Sequence, residues 1–131
     1  MERLELPFRI ELKTGLPVHD QVIFAVHKAV LSGQCHEGDP FPSVRALGQA
    51  LRINPNTAHR IVQTLVARGV LAVRPGIGTI VAGSAVATRA EKQAVLEGEV
   101  ERLVVEARRL GVEREEVIAA VERHWKRTDR R

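Results

Sequence analysis

Seven consecutive positions, Asn54 to Arg60, hold Asn54, Asn56, Thr57, His59 and Arg60. They present amide, hydroxyl and imidazole groups that donate and accept hydrogen bonds, and they end on a guanidinium fork. An asparagine amide matches the paired donor and acceptor of an adenine edge, and an arginine fork matches the two acceptors of guanine. The chemistry is therefore recognition of base edges and phosphates rather than bond making. The surrounding charge agrees. Between Asp39 and Glu91 there is no Asp or Glu, while the interval carries Arg45, Arg52, Arg60, Arg68, Arg74 and Arg89. A compact segment that excludes negative charge so completely calls for a polyanion as its partner.

The parts of an enzyme are missing. There is no nucleophile–base pair, no pair of carboxylates in an apolar setting and no phosphate loop. Gly76-Ile77-Gly78 has a glycine spacing but no other element of a nucleotide site. His19, His27, His36 and Cys35 share no recognised ligand spacing, so neither a metal nor a cofactor is expected.

The elements that must hold these residues follow from apolar periodicity. Val22, Ile23, Val26, Ala29 and Val30 recur at helical spacing, which predicts an amphipathic helix over Val18–Leu31, stopped by Ser32-Gly33. Before it, Phe8–Leu12 alternates apolar and charged residues, as a short strand or extended arm does. Gln34–Pro42, with Gly38, Pro40 and Pro42, reads as a loop. Ser43 then caps a helix with Val44, Leu47 and Leu51 on its apolar face. After a tight turn Asn54 caps a third helix, with Pro55 at its first position and Ala58, Ile61, Val62 and Leu65 inside. Val70–Arg74 and Thr79–Ala82 alternate as strands around the loop Pro75–Gly78. The pattern is a winged helix-turn-helix. The polar start of the third helix is the end that enters a major groove best, because its backbone N–H groups face phosphate there. Arg45 is placed to meet the backbone or a base beside the groove, and the bare backbone at Gly76, Gly78 and Thr79 suits a close approach to the neighbouring minor groove, with Arg74 beside it.

From residue 84 the composition shifts to charge-rich helix. Residues 1–83 carry nine Lys/Arg and six Asp/Glu, whereas 84–131 carry eleven and ten. Leu96, Val100, Leu103, Val104, Ala107 and Leu110 form a stripe stepping by roughly 3.5 residues, a seam that wants a partner helix. Gly98 sits inside it and predicts a kink or a close-packed spot. Gly111 ends this helix, and Glu113–Arg127 forms another with Val117, Val121 and Trp125 on one face. Two short helices bury these residues poorly alone, so a homodimer is favoured over packing within one chain. The expected organisation is 1–83 as a DNA-binding winged helix-turn-helix and 84–131 as a helical dimerisation region. The fold class is mostly α with a small β-hairpin.

Several motifs in order give a resemblance to a known family. LSG-x-x-x-x-GD at Leu31–Asp39, PSVR-x-L at Pro42–Leu47, INPNT at Ile53–Thr57 and G-x-GT-x-V at Gly76–Val81 resemble the GntR family of bacterial repressors. INPNT and the short C-terminal part are similar to its YtrA-like branch. The resemblance implies a homodimer, held by C-terminal helices, on an inverted-repeat operator in double-stranded DNA, and control of genes that commonly include ABC-type transporters. It carries DNA contact to Arg45, Asn56, Thr57 and His59, and wing roles to Gly76, Gly78 and Thr79. Glu37, Ala46, Pro75 and Ile77 depart from the family pattern, and at Ile77 a basic residue is frequent.

Bulk properties fit a DNA-binding protein. The chain has 131 residues, a net charge of +4 and four aromatic residues, so its core is aliphatic with little room for a deep ligand cavity. A small-molecule effector is possible but has no obvious site. The lone Cys35 forms no intramolecular disulfide and suits a reducing compartment. The acidic N-terminus and the lack of an apolar run of membrane-spanning length point to a cytoplasmic protein. The competing reading is a winged-helix module that binds another protein instead of DNA. The polar helix start and the acid-free block speak against it.

Overall fold

The computed structural model describes residues 6–83 and 87–129. Residues 84–86, where the second region is expected to begin, lie outside the described residues, as do 1–5 and 130–131. The chain divides into two compact units, the first reaching Ala85 and the second running from Val86 to Asp129.

In the first unit, α1 (Val18–Leu31), α2 (Val44–Leu51) and α3 (Pro55–Ala67) precede a hairpin of β1 (Leu71–Arg74) and β2 (Gly78–Val81). The predicted apolar faces supply the core. Val22, Val26, Leu47, Ala58, Ile61 and Leu65 are all fully buried, and Leu71 and Val81 close the hairpin over them. The starts of α2 and α3 have identifiable causes. The Ser43 hydroxyl accepts from the Ala46 N–H at 3.1 Å, and the Asn54 side chain accepts from the Asn56 N–H at 2.8 Å. These caps satisfy backbone donors that the first turn leaves without partners. Between them, Arg52 takes the left-handed conformation at φ 55°, which lets the chain reverse in three residues. The turn allows α2 and α3 to cross closely at Gly48. A methyl group at Gly48 would lie 3.5 Å from the Ala58 methyl, in ordinary contact, so there is space for one carbon and no more.

In this unit one alternative is decided and two expectations change. The segment 6–12 forms no strand; it is an arm pinned by Phe8, whose ring stacks on Phe41 with centroids 5.9 Å apart. Gln21 holds the arm further along, accepting from the Lys13 N–H and donating to the Lys13 and Leu16 carbonyls. The loop before α2 is not wholly irregular. Gly38, Asp39 and Phe41 exchange backbone hydrogen bonds with Val81 and Thr79, each 2.8 Å long, so this stretch lines the outer edge of β2. Pro40 sits opposite Ile80, at the position where no N–H is needed, which is how an edge accommodates proline. Finally, Gly78 pairs with Arg74 and opens β2 rather than belonging to the loop.

The second unit begins with α4 (Arg89–Gln93), capped by a reciprocal Thr88–Glu91 box. The helix continues without a break through a wide π-helical turn, Ala94–Glu99, into α5 (Val100–Arg109). Gly98 lies in that wide turn. Nothing packs within 4 Å of where its Cβ would sit, so the expected close packing is absent. The Val100 N–H bonds to the Val95 carbonyl, five residues back, the hydrogen-bond spacing of a π-turn. Gly111, at φ 73°, turns the chain into α6 (Arg114–Arg127). Among the described residues no helix is long and apolar enough to cross a membrane.

Candidate nucleic-acid interface

The reading surface is built on the α2–turn–α3 pair. Burying Ala58, Ile61, Val62 and Leu65 fixes which way α3 faces, and helical spacing then puts Asn56, His59 and Arg60 together on the opposite side. All three are exposed, and Thr57, at the flank of that stripe, is half-buried. Asn54 is exposed, but its amide oxygen is already engaged in the cap. Ser43 is likewise a cap whose hydroxyl is committed to α2, and Arg45 stands exposed in the first turn of that helix. Two residues outside the predicted set share this surface. Gln63 continues the Asn56–Arg60 stripe by one turn, and Arg52 projects from the turn itself. The signal for Gln63 was present in the sequence as the next step of the i, i+3, i+7 series.

Electrostatics favour a polyanion here. Among the described residues Arg45, Arg52, Arg60 and Arg74 form no ion pair, and the block that carries them holds no carboxylate of its own. Asp20 of α1 does line the same small cleft as Arg60. The histidines and cysteine considered as ligands have separate attachments. His19 Nε2 meets the Thr64 hydroxyl at 3.0 Å, and the Cys35 thiol donates to the Pro7 carbonyl at 3.1 Å. Arg68 donates to His27 Nε2 at 3.3 Å, joining α1 to the end of α3. Burial, then the nearby Arg68 charge, lowers the His27 pKa from its ordinary value. Burial, then the charge of Asp39, raises that of the Cys35 thiol.

The wing is a tight hairpin. Ile77 N–H bonds to the Arg74 carbonyl at 3.0 Å, closing a turn with Pro75 and Gly76 at its centre. Gly76 has φ 77°, and proline followed by a positive-φ glycine is the signature of a type II turn. Pro75, which departs from the family pattern, is thus the residue this turn favours. Arg74 ends β1 in an exposed position, while Thr79 is half-buried, with its carbonyl bonded to Phe41.

The arrangement is that of a known regulator class. Residues 19–81 match the family model for bacterial regulatory proteins of the gntR family, a span that runs from α1 to the last residue of the wing. By that match, residues 19–81 are a GntR-family DNA-binding domain. The family is one of DNA-binding transcriptional regulators, not of enzymes, which favours DNA over a protein partner for this winged helix. The chain is 29% identical over 110 residues to the HTH-type transcriptional repressor YtrA of Bacillus subtilis (strain 168), covering 83% of this chain and 85% of that protein. Its fold is similar to that of a transcriptional antiterminator from Listeria monocytogenes EGD-e, with a TM-score of 0.75, 25% identity and coverage of 89% and 88%. It is also similar in fold to YtrA from Sulfolobus acidocaldarius, a GntR-family transcription factor, with a TM-score of 0.51, 20% identity and coverage of 90% and 96%. The chain is YtrA-like within its family, as the INPNT motif and short C-terminal part imply.

The predicted association residues all fall in the second unit. Leu96, Val100, Leu103, Val104, Leu110 and Val121 are exposed, and Trp125 is 71% exposed. Val117 is half-buried. Ala107 differs from the rest: it is already covered within the unit, where α5 turns back toward α6. Leu103, Leu110, Val117, Val121 and Trp125 line an apolar groove of about 640 Å³ along α5 and α6.

Proposed function

We propose that this GntR-family regulator is a cytoplasmic repressor that binds an inverted-repeat operator as a homodimer, with the second unit joining two copies. The observation that carries the reading is the apolar groove and stripe of the second unit, exposed in the single chain. An apolar surface of this kind on a soluble protein marks an association site. A second copy of the same stripe is the partner that satisfies it with two-fold symmetry. Such a dimer presents two α3 helices about 34–36 Å apart, one turn of DNA, and so selects a palindrome. In this reading Arg45, Asn56, Thr57, His59 and Arg60 read the major groove and its phosphates, Ser43 and Asn54 hold the helix starts against the backbone, and Arg74, Gly76, Gly78 and Thr79 form the wing contact.

The likeness to YtrA supports a repressor role, and the resemblance to its branch extends the proposal to an operon encoding a transporter. An effector, where one exists, acts by favouring one spacing of the two heads over another, and its influence is limited to its affinity ratio for the two states.

The test is a titration on palindromic promoter fragments at several salt concentrations, together with the mass of the protein in solution. A dimer with sequence-selective, salt-dependent binding is expected, and replacing Arg45 and Arg60 with Ala abolishes binding while leaving the dimer intact. A monomer in solution, or binding indifferent to half-site spacing, would overturn the reading.

A further inference from the structure

The tip of the wing carries no cation. It carries Ile77, 76% exposed, between Gly76 and Gly78. An isoleucine so exposed loses the water-exclusion that would make it useful to the fold, so its role is not internal packing. The two flanking glycines have φ 77° and 111°, and nothing lies within 4 Å of where a Cβ on either would sit. Positive φ explains why they are glycines, and the result is a thin tip: one branched apolar side chain flanked by bare backbone. The type II turn closed by the Ile77 N–H holds that side chain on a short, rigid hairpin. Behind it Arg74, paired across the hairpin with Gly78, is exposed and without an ion-pair partner, on the same acid-free block as α3.

We propose that Ile77 is the wing's own DNA contact, an apolar probe that enters the minor groove flanking each half-site, with Arg74 at the phosphates of its edge. This rests on the operator-binding reading above. The minor groove is about 6 Å wide, narrow enough to exclude a tip with bulky neighbours and to accept a single side chain between glycines. Ile77 has no donor for the acceptors on the groove floor, so it reads shape rather than hydrogen-bond pattern. It packs against sugar edges or wedges at a flexible base step, as apolar side chains do in minor-groove proteins. Its β-branched side chain has few rotamers to lose on insertion, unlike a lysine or arginine in the same place. The contact releases no counterions. Its contribution to affinity is therefore independent of salt, in contrast to that of Arg74.

The experiment uses the full chain and a duplex selected from a random pool, with the flanking base pairs varied in a second set of duplexes. Ile77→Ala is expected to weaken binding at least about tenfold, as loss of a buried branched side chain does. The slope of log K against log salt stays at the wild-type value, and discrimination among the flanking sequences is lost. Arg74→Ala instead flattens the slope, by about 0.9 for each phosphate contact removed. Ile77→Arg steepens it, because the new charge lands beside the backbone. Wild-type affinity in Ile77→Ala, a flattened slope in Ile77→Ala, or an unchanged slope in Ile77→Arg would each overturn the proposal. Thermal melting of each variant checks that the exposed tip was altered without loss of fold. If wild type shows no selective binding at all, it is the operator reading that fails; if wild type binds selectively and Ile77→Ala is neutral, only the wing inference does.

Discussion

The two units of this chain spend their apolar residues in opposite ways. Among the described residues, every buried apolar side chain except Ala107 belongs to the first unit. There three helices and a hairpin enclose Leu47, Ile61, Leu65, Leu71 and Val81 almost completely. The second unit is comparable in helix content, yet it leaves Leu96, Leu103, Leu110, Ile118 and Trp125 in solvent. A helical hairpin has one inner face, and two helices cannot surround a core as four packed elements can. The contrast teaches where each kind of specificity resides. The first unit completes itself and offers its polar surface outward, and the second is left with an apolar surface to offer.

The contrast breaks most visibly at Leu47 and Leu103. Leu47→Ala empties a fully buried site where α2 meets the core, and should cost about 2–5 kcal/mol, read as a lower denaturation midpoint of the first unit. Leu103 is 45% exposed on the groove, so Leu103→Glu should leave that midpoint in place. It should instead shift the protein toward monomer in sedimentation by at least about tenfold, the scale of a buried interface anchor. If Leu103→Glu melts the first unit or leaves the mass unchanged, the division of labour is wrong.

Smaller effects sharpen the picture of the first unit. Asn54→Ala removes the oxygen that accepts the Asn56 N–H, and a loss of about 1 kcal/mol is expected from urea denaturation. Asn54→Asp keeps the cap acceptor and should lose little stability while adding a negative charge to the surface proposed to face DNA. A large drop in affinity with near-normal stability in Asn54→Asp would separate the electrostatic demand of the site from its structural one.

The smallest expected effect concerns pH. Burial, followed by the Arg68 charge, lowers the His27 pKa below the ordinary 6.5. The unfolded chain then binds more protons than the folded one between the lowered value and 6.5, so stability rises with pH through that window. It is fully present above about 6.5 and is lost as the pH falls toward the folded value. His27→Gln should flatten this part of the pH–stability profile of the first unit. An unaltered profile would mean that neither burial nor Arg68 shifts His27.

Local rules made much of the first unit legible. Serine and asparagine announced helix starts because each can bond the N–H two or three residues on. Apolar spacing named the inner faces because a helix buries one stripe and a strand alternate residues. The polar face of α3 followed without further information, since it is what remains after Ala58, Ile61, Val62 and Leu65 turn inward. Where the reading stopped short, the cause was a contact between residues far apart in the chain. The pairing of Gly38–Phe41 with β2 has no local signal, since Pro40 hides a strand-like edge that only Ile80 reveals. The stacking of Phe8 on Phe41 turned a candidate strand into a pinned arm for the same reason.

By itself, then, the sequence determined the helix boundaries of the first unit, the face of α3 turned outward, the lack of acids in the block that carries it, and the family the winged helix-turn-helix resembles. All of these depend on neighbours within a few residues or on composition. Tertiary structure decided the third edge on the wing, while the conformation of the Gly-Ile-Gly tip and the wide turn Ala94–Glu99 are local features that residue types alone did not announce. It also showed which apolar stripe a single chain leaves uncovered. The third edge and the uncovered stripe depend on which distant segments meet, and a linear pattern of residue types does not specify that meeting.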